Sequence, residues 1–195
     1  MLIQSSINGF GDVAFVAGNT AASNIDTYIY SSQNALYHSA LTFVGQNLGA
    51  KKLERVKKSI LLCAGVVAAV GISVGITVLT FGRPLLSIFT DSPEVINAGM
   101  VRLSIMATTY FLCGFMEVGC GVMRGFGKSM PPMIVSLIGS CLLRIVWIYT
   151  IFAAFPTPII LYISYPVSWG LTAATHFLFC GITYRKMKQR IESQG

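Results

Sequence analysis

Charged side chains are scarce in this sequence: Asp, Glu, Lys and Arg make up only 11% of its 195 residues, whereas hydrophobic residues make up 54%. A soluble domain carries roughly 25% charged residues. The composition therefore excludes an ordinary soluble enzyme and a disordered tail, and it predicts an integral membrane protein with the lipid bilayer as its partner. The net charge of +7 does not indicate a nucleic-acid partner, because eleven of the fourteen Lys and Arg lie in three short clusters between apolar stretches, at residues 51–58, 124–128 and 185–190.

Motifs of catalysis and of metal binding are also lacking. The five cysteines stand singly inside apolar runs, without a Cys-x-x-Cys pair, so neither a zinc site nor a disulfide framework is indicated. The sequence contains no phosphate-binding glycine loop, no Ser-His-Asp arrangement and no His-Cys ligand cluster. We therefore expect no enzyme, no bound metal and no organic cofactor.

Long apolar runs are what the sequence does contain. A membrane helix needs about 20 mostly apolar residues. Five segments are candidate spans, at residues 21–48, 59–81, 98–123, 130–155 and 158–184. Residues 1–11 are too short to cross and are predicted to be the second half of a helix. The predicted fold is an all-α integral membrane bundle of about five transmembrane helices plus this half-helix, over residues 1–184, followed by a basic tail at 185–195.

The basic clusters predict the orientation of the chain. Lys and Arg concentrate in loops on the cytoplasmic side, and alternation of five spans places all three clusters on one side, opposite a lone Arg83. We expect a multi-pass protein of the cell membrane with a cytoplasmic C-terminus and cytoplasmic basic tail.

Charged residues inside spans are candidate functional residues, and Glu117 is the strongest of them. Helical spacing places Tyr110, Gly114 and Arg124 on its face, and the small residues there predict a groove beside the carboxylate. Glu117 lies roughly 10 Å inside the cytoplasmic end of its helix, at about 1.5 Å per residue. A carboxylate at that depth suits proton binding and release, and the alternative is one that only braces two helices.

Four other residues complete the predicted substrate pathway with Tyr110. Arg144 lies near the middle of the bilayer, where it either pairs with Glu117 or, as we prefer, clamps neighbouring helices together. Asp26, Asn24 and Gln33 lie on the first span, where Asp26 lines a water-filled cavity or caps the membrane interface.

Several stretches resemble the multidrug and toxic compound extrusion (MATE) family of cation-coupled antiporters. Their order and spacing across nearly the whole chain make the joint match specific. The stretches are residues 44–50 (VGQNLGA), 86–91 (LSIFTD), 122–129 (VMRGFGKS), 132–137 (PMIVSL) and 144–147 (RIVW). Within them, Gln46, Gly49, Arg124 and Gly125 form the predicted cytoplasmic loop motif.

The resemblance implies one lobe of a carrier that has twelve helices in two six-helix lobes. This chain resembles the C-terminal lobe, from the latter half of the seventh helix through the twelfth, so an N-terminal lobe is expected in cis or in trans. The implied activity is export of cationic, amphipathic compounds driven by proton or sodium uptake. Some branches of the family carry the acidic residue of the tenth helix where this chain has Cys113, and others carry it at the position of Glu117, the implied ion-coupling residue.

Two alternatives are left open. A membrane scaffold or regulatory module would present an exposed interaction face in place of a polar cavity. A lipid-precursor flippase of a related superfamily would need more than one buried arginine for its bulky anionic head group, and the sequence indicates Arg144 alone.

Overall fold

The computed structural model describes residues 2–193, which form helices joined by short connections and contain no strand. In chain order the helices are α1 (Leu2–Asn8), α2 (Val13–Gly49), α3 (Leu53–Ser87), α4 (Pro93–Ala107), α5 (Tyr110–Gly125), α6 (Met130–Phe152) and α7 (Pro158–Glu192). Two stretches of α6, Leu137–Leu142 and Ile148–Phe152, have the wider π-helical hydrogen bonding. The all-α membrane fold predicted from the sequence is confirmed.

Local sequence explains where the helices begin and end. The Asp12 side chain accepts hydrogen bonds from the backbone N–H groups of Ala14 and Phe15, at 2.9 and 3.3 Å, and so caps the start of α2. The other end of α2 closes with Lys51 in the left-handed region, at φ 56°. In this turn the N–H of Lys52 donates to the carbonyl of Asn47, which satisfies one of the last helical acceptors.

Length and apolar character make α3 and α6 able to cross a membrane. Helices α4 and α5 supply a third span if the bent pair counts as one. Helices α2 and α7 are long enough, with 37 and 35 residues, but their polar residues leave them below the same apolar limit. The total of five spans stays a prediction.

The span predicted at residues 98–123 is not one continuous helix. It breaks between Ala107 and Tyr110, and α4 and α5 meet at an angle of 49°. The hydroxyls of Thr108 and Thr109 both donate to the backbone carbonyl of Ile105 at 2.9 Å. Such back-bonding competes with the helical ladder and bends helices. The basic residues from 185 onward, predicted as a cytoplasmic tail, continue α7 as far as Glu192. Residues 194–195 of this predicted tail lie outside the described residues.

Helices α2 and α5 form the centre of the bundle, and α3, α4 and α7 pack around them. Along α2, Phe15 and Ile29 belong to one apolar cluster, whereas Ala40 and Val44 belong to a second. Buried Gln33 lies between these clusters in the sequence of α2. Helix α6 lies at the edge of the bundle, with no buried residue in its most apolar stretch. Part of the polar site described below therefore lies between the two apolar clusters of α2.

Candidate functional site

A buried ion pair joins α4 to α2. The Nε atom of Arg102 lies 2.8 Å from Oδ2 of Asp26, and its Nη1 atom donates to Oδ1 of Asn19 at 2.7 Å. The hydroxyl of Tyr162, on α7, donates to the same Asn19 oxygen at 3.1 Å. The Arg102 guanidinium therefore lies at the contact of α2, α4 and α7. Arg102 is only 8% exposed.

Two carboxylates and two tyrosines cross-link α2 and α5 reciprocally. Tyr110 of α5 donates its hydroxyl to Asp26 of α2. Tyr30 of α2, one helical turn beyond Asp26, donates its hydroxyl to Oε1 of Glu117 of α5 at 3.1 Å. Each central helix thus contributes one acid and one tyrosine, and both predicted acidic residues are bonded to the opposite helix.

A cavity of about 230 Å³ opens between α2, α4, α5 and α7. We call it the central cavity. Its lining contains three of the residues predicted for the substrate pathway: Asp26, Gln33 and Tyr110. Of the other predicted residues, Asn24 lies exposed elsewhere on α2, and Glu117 is not part of the lining, although its partner Tyr30 is.

The groove predicted beside Glu117 is closed. A Cβ atom placed on Gly121 would lie 2.5 Å from the backbone oxygen of Tyr37, and one on Gly114 would overlap the side chain of Gln33. The small residues on this face of α5 therefore let α2 approach closely instead of leaving open space. Gln33 donates from Nε2 to the carbonyl of Tyr110 at 3.1 Å, whereas its buried Oε1 atom has no hydrogen-bond partner in the described part of the chain.

Arg144 does not pair with Glu117. Its Nε atom donates to the hydroxyl of Ser168 at 2.9 Å, and its guanidinium lies 4.1 Å from the centre of the Tyr165 ring. Both partners belong to α7, so the contacts are those of the clamp between helices that we preferred. The pairing hypothesis failed because it considered only depth in the membrane, whereas α6 packs at the edge of the bundle against α7.

A second cavity, of about 550 Å³, contains Arg102 and Arg144 in its lining. We call it the arginine cavity. Residues from α1, α2, α4, α6 and α7 line it, and Ser23, Arg102 and Tyr165 also belong to the central cavity. The expectation that Arg144 is the only buried arginine is wrong, because Arg102 is the buried one and Arg144 is half-buried. Arg102 was not among the candidate residues, although it lies inside a predicted span, at residues 98–123, and a charge inside a span is itself a signal of a functional residue.

The predicted cytoplasmic loop motif divides into two parts. Arg124 donates from Nη1 to the Tyr37 hydroxyl at 2.6 Å and lies 5.6 Å from the centre of that ring. Gly125 permits close packing on α2, since a Cβ atom there would lie 2.8 Å from Cβ of Val44. Gln46 and Gly49 lie exposed at the end of α2. The motif thus marks the ends of α2 and α5, which pack together near the basic loops.

Comparison with known proteins places this geometry in a family. The family model described as MatE matches residues 1–150. The chain is 26% identical over 122 residues to the "Probable multidrug resistance protein NorM" of Thermotoga maritima, a match that covers 63% of this chain and 26% of that protein. It is 23% identical over 126 residues to the "FAD transporter" of Shewanella oneidensis, covering 65% of this chain and 28% of that protein.

A solved structure described as the outward-facing conformation of a multidrug resistance MATE family transporter of the MOP superfamily has the same fold. It superposes with a TM-score of 0.85 at 16% sequence identity, over 96% of this chain and 42% of the solved one. The matched region is therefore about a quarter of the two curated relatives and about two fifths of the solved transporter. Because the MatE model matches residues 1–150 of a chain of 195 residues, the chain belongs to the MatE family of multi-pass membrane transporters, which is not a family of enzymes.

Proposed function

We propose that this chain is the C-terminal lobe of a two-lobe secondary antiporter that exports cationic, amphipathic drugs in exchange for protons or sodium ions. Family membership and the relative named as a multidrug resistance protein support drug export. The chain matches 42% of the solved transporter. This share supports a carrier that also needs an N-terminal lobe, in cis or in trans. The observation that carries the proposal is the reciprocal tyrosine–carboxylate bonding between α2 and α5.

Glu117 is the proposed ion-coupling residue because its charge is not neutralised. Its Oε1 atom accepts a hydrogen bond from Tyr30, and no Lys or Arg of the described residues forms an ion pair with it. Asp26, in contrast, is bonded to both Arg102 and Tyr110. A proton or sodium ion therefore binds more favourably to Glu117 than to Asp26. The role of Asp26 is to hold α4 against α2.

Ion binding at Glu117 would act on the packing of the two central helices. A proton or a sodium ion competes with the Tyr30 hydroxyl for the Glu117 carboxylate, and loss of that bond frees one of the two links between α2 and α5. Tyr30 also lines the central cavity, so its release changes the wall that faces a bound drug. Alternating access in two-repeat carriers moves one bundle against the other around a midplane site, and this link couples ion binding to that motion.

The cytoplasmic C-terminus belongs to the same proposal. The basic clusters at residues 51–58 and 124–128 lie where α2 and α5 end, and these two helix ends pack together. With these loops on the cytoplasmic side, the central cavity lies deeper in the membrane than the Arg124–Tyr37 contact. The scaffold alternative gains no support, because it expects an exposed face in place of a polar cavity.

Export of a fluorescent cation such as ethidium tests the proposal. The chain is expressed with an N-terminal lobe in cells that lack their own drug exporters, and the loss of dye from preloaded cells is followed. We expect Glu117→Gln to lower the export rate at least tenfold while membrane insertion is unchanged. The matched control is Glu94→Gln, since Glu94 is exposed in the first turn of α4, and it should export normally. Export by Glu117→Gln at the parental rate would remove this residue from the mechanism.

A further inference from the structure

We infer that the arginine cavity is a binding site for the acidic group, a carboxylate or a phosphate, of an amphipathic solute, with Arg144 as the residue that holds it. The inference extends the proposed function by adding acidic amphipathic solutes to the compounds handled, and it rests on that function. It starts from an excess of positive charge that no carboxylate of the described residues balances.

The charges around this cavity come from few residues. Helix α1 carries no charged residue, and α2 contributes Asp26, the carboxylate that Arg102 already holds at 2.8 Å. The cavity lining contains Arg102 from α4, Arg144 from α6 and the neutral Tyr165 from α7. With one carboxylate for two guanidinium groups, the cavity has a net charge of about +1.

Glu117 does not supply the missing negative charge. It lies outside the lining of the arginine cavity, and its carboxylate accepts its hydrogen bond from Tyr30. Among the described residues, Asp26 forms its ion pair with Arg102, and Arg144 forms none. Arg144 is thus left without a carboxylate partner. A charged group inside a membrane protein is costly unless it is paired, and a mobile anion would supply the partner that the described residues do not provide.

The contacts of Arg144 orient its guanidinium for such a partner. Nε is used by the hydroxyl of Ser168, and one face of the group stacks on the Tyr165 ring at 4.1 Å. The edge formed by Nη1 and Nη2 receives no acceptor from the residues that the structure describes. Two parallel N–H groups on a fixed plane match a carboxylate or phosphate in the bidentate geometry that arginine favours.

The rest of the cavity fits the body of a small amphipathic molecule. Its volume of about 550 Å³ lies within the range of roughly 300 to 1,000 Å³ of small-molecule sites. Ile7, Ile145 and Ile148 provide apolar wall, whereas Ser23 and Ser140 provide hydroxyls near the arginines. An acidic group at Arg144 therefore leaves space for an apolar portion of the same solute.

A pair of dansyl probes tests the inference. The Trp147→Phe variant of the chain is placed in phosphatidylcholine nanodiscs. The sequence contains two tryptophans, so this variant retains Trp169 alone. Trp169 lies 5.9 Å from the Arg144 guanidinium and also lines the central cavity. Energy transfer from Trp169 to the anionic dansylglycine is compared with transfer to its neutral amide. We expect saturable transfer and at least tenfold tighter binding of the anion.

Variants separate binding from a structural role. Arg144→Gln should abolish the preference for the anion, and Arg144→Lys should restore part of it. Arg83→Gln removes an exposed arginine that bonds to Asn97 outside the cavity, and it should leave the preference unchanged. A residue that only clamps α6 to α7 would alter the unfolding temperature without altering the ratio of the two affinities. Equal affinities for anion and amide, or a preference that survives in Arg144→Gln, would overturn the inference.

A second set of nanodiscs distinguishes a solute from a lipid head group. Phosphatidylglycerol is added to the bilayer, and dansylglycine binding is measured again. Unchanged affinity supports a solute site, whereas displacement that depends on Arg144 contradicts it and assigns the cavity to lipid. Dye export that requires Glu117, in the absence of any anion preference, would reject this inference and keep the proposed function. Anion binding without ion-driven export would support this inference and reject the proposed function.

Discussion

Arg102 on α4 and Asp26 on α2 form an ion pair of 2.8 Å across 76 positions of sequence. The pair lies where the central cavity and the arginine cavity adjoin, since Arg102 lines both. Tyr110 adds a third helix to the arrangement through its hydrogen bond to Asp26. The pair therefore sets the shape of both cavities by fixing α4 and α5 against α2.

Asp26→Asn should destabilise the protein strongly. It removes the carboxylate that balances Arg102 among the described residues, and leaving one member of a buried pair uncompensated costs about 3–5 kcal/mol. Thermal or denaturant unfolding in detergent micelles measures the loss. The double variant Asp26→Asn with Arg102→Met no longer contains the buried charge, so it should recover a large part of the lost stability. A single variant as stable as the parent would mean that the pair contributes nothing.

Gly114→Ala should also destabilise the protein, because the added methyl group would overlap the side chains of Gln33 and Val67. Overpacking of this kind costs about 1–3 kcal/mol. Gly65→Ala in α3 is a suitable control, since nothing lies within 4 Å of its Cβ position. Alanine there should stabilise the helix by up to about 1 kcal/mol. The account of α2–α5 packing would fail if the two variants unfolded at the same temperature.

Cysteine accessibility should reveal the orientation of the basic loops. In a background with the five native cysteines replaced by alanine, Lys57→Cys should resist an impermeant thiol reagent added outside intact cells, and it should react after the cells are opened. Asp91→Cys, in the exposed connection between α3 and α4, should react from outside. The reverse labelling pattern would invert the proposed topology.

The sequence was sufficient for the helical membrane fold because long apolar runs and basic loops are local signals. It did not predict the break between α4 and α5, which depends on hydroxyls of Thr108 and Thr109 bonding back to the helix. Contacts between side chains of different helices were harder to predict than this break. Asp26 and Tyr110 were each predicted for the substrate pathway, but the partner Arg102 was missed because depth along single helices does not specify which helices pack together.

Glycines were misread for a related reason. Small residues near Glu117 are equally compatible with an open groove and with a close helix contact, and only the position of α2 decides between them. In the structure, α2 packs closely against α5 at Gly114 and Gly121. The polar space that remains is the central cavity, bounded by larger side chains such as Tyr30 and Tyr110.

Ion-driven dye exchange in proteoliposomes tests the central claim most directly. The chain is reconstituted with an N-terminal lobe, and a proton or a sodium gradient is imposed across the membrane in separate experiments. We predict that one of the two gradients drives dye against its own concentration gradient, and that Glu117→Gln abolishes this exchange without abolishing dye binding. Dye movement that ignores both gradients, or exchange that persists undiminished in Glu117→Gln, would contradict an antiporter coupled through this carboxylate.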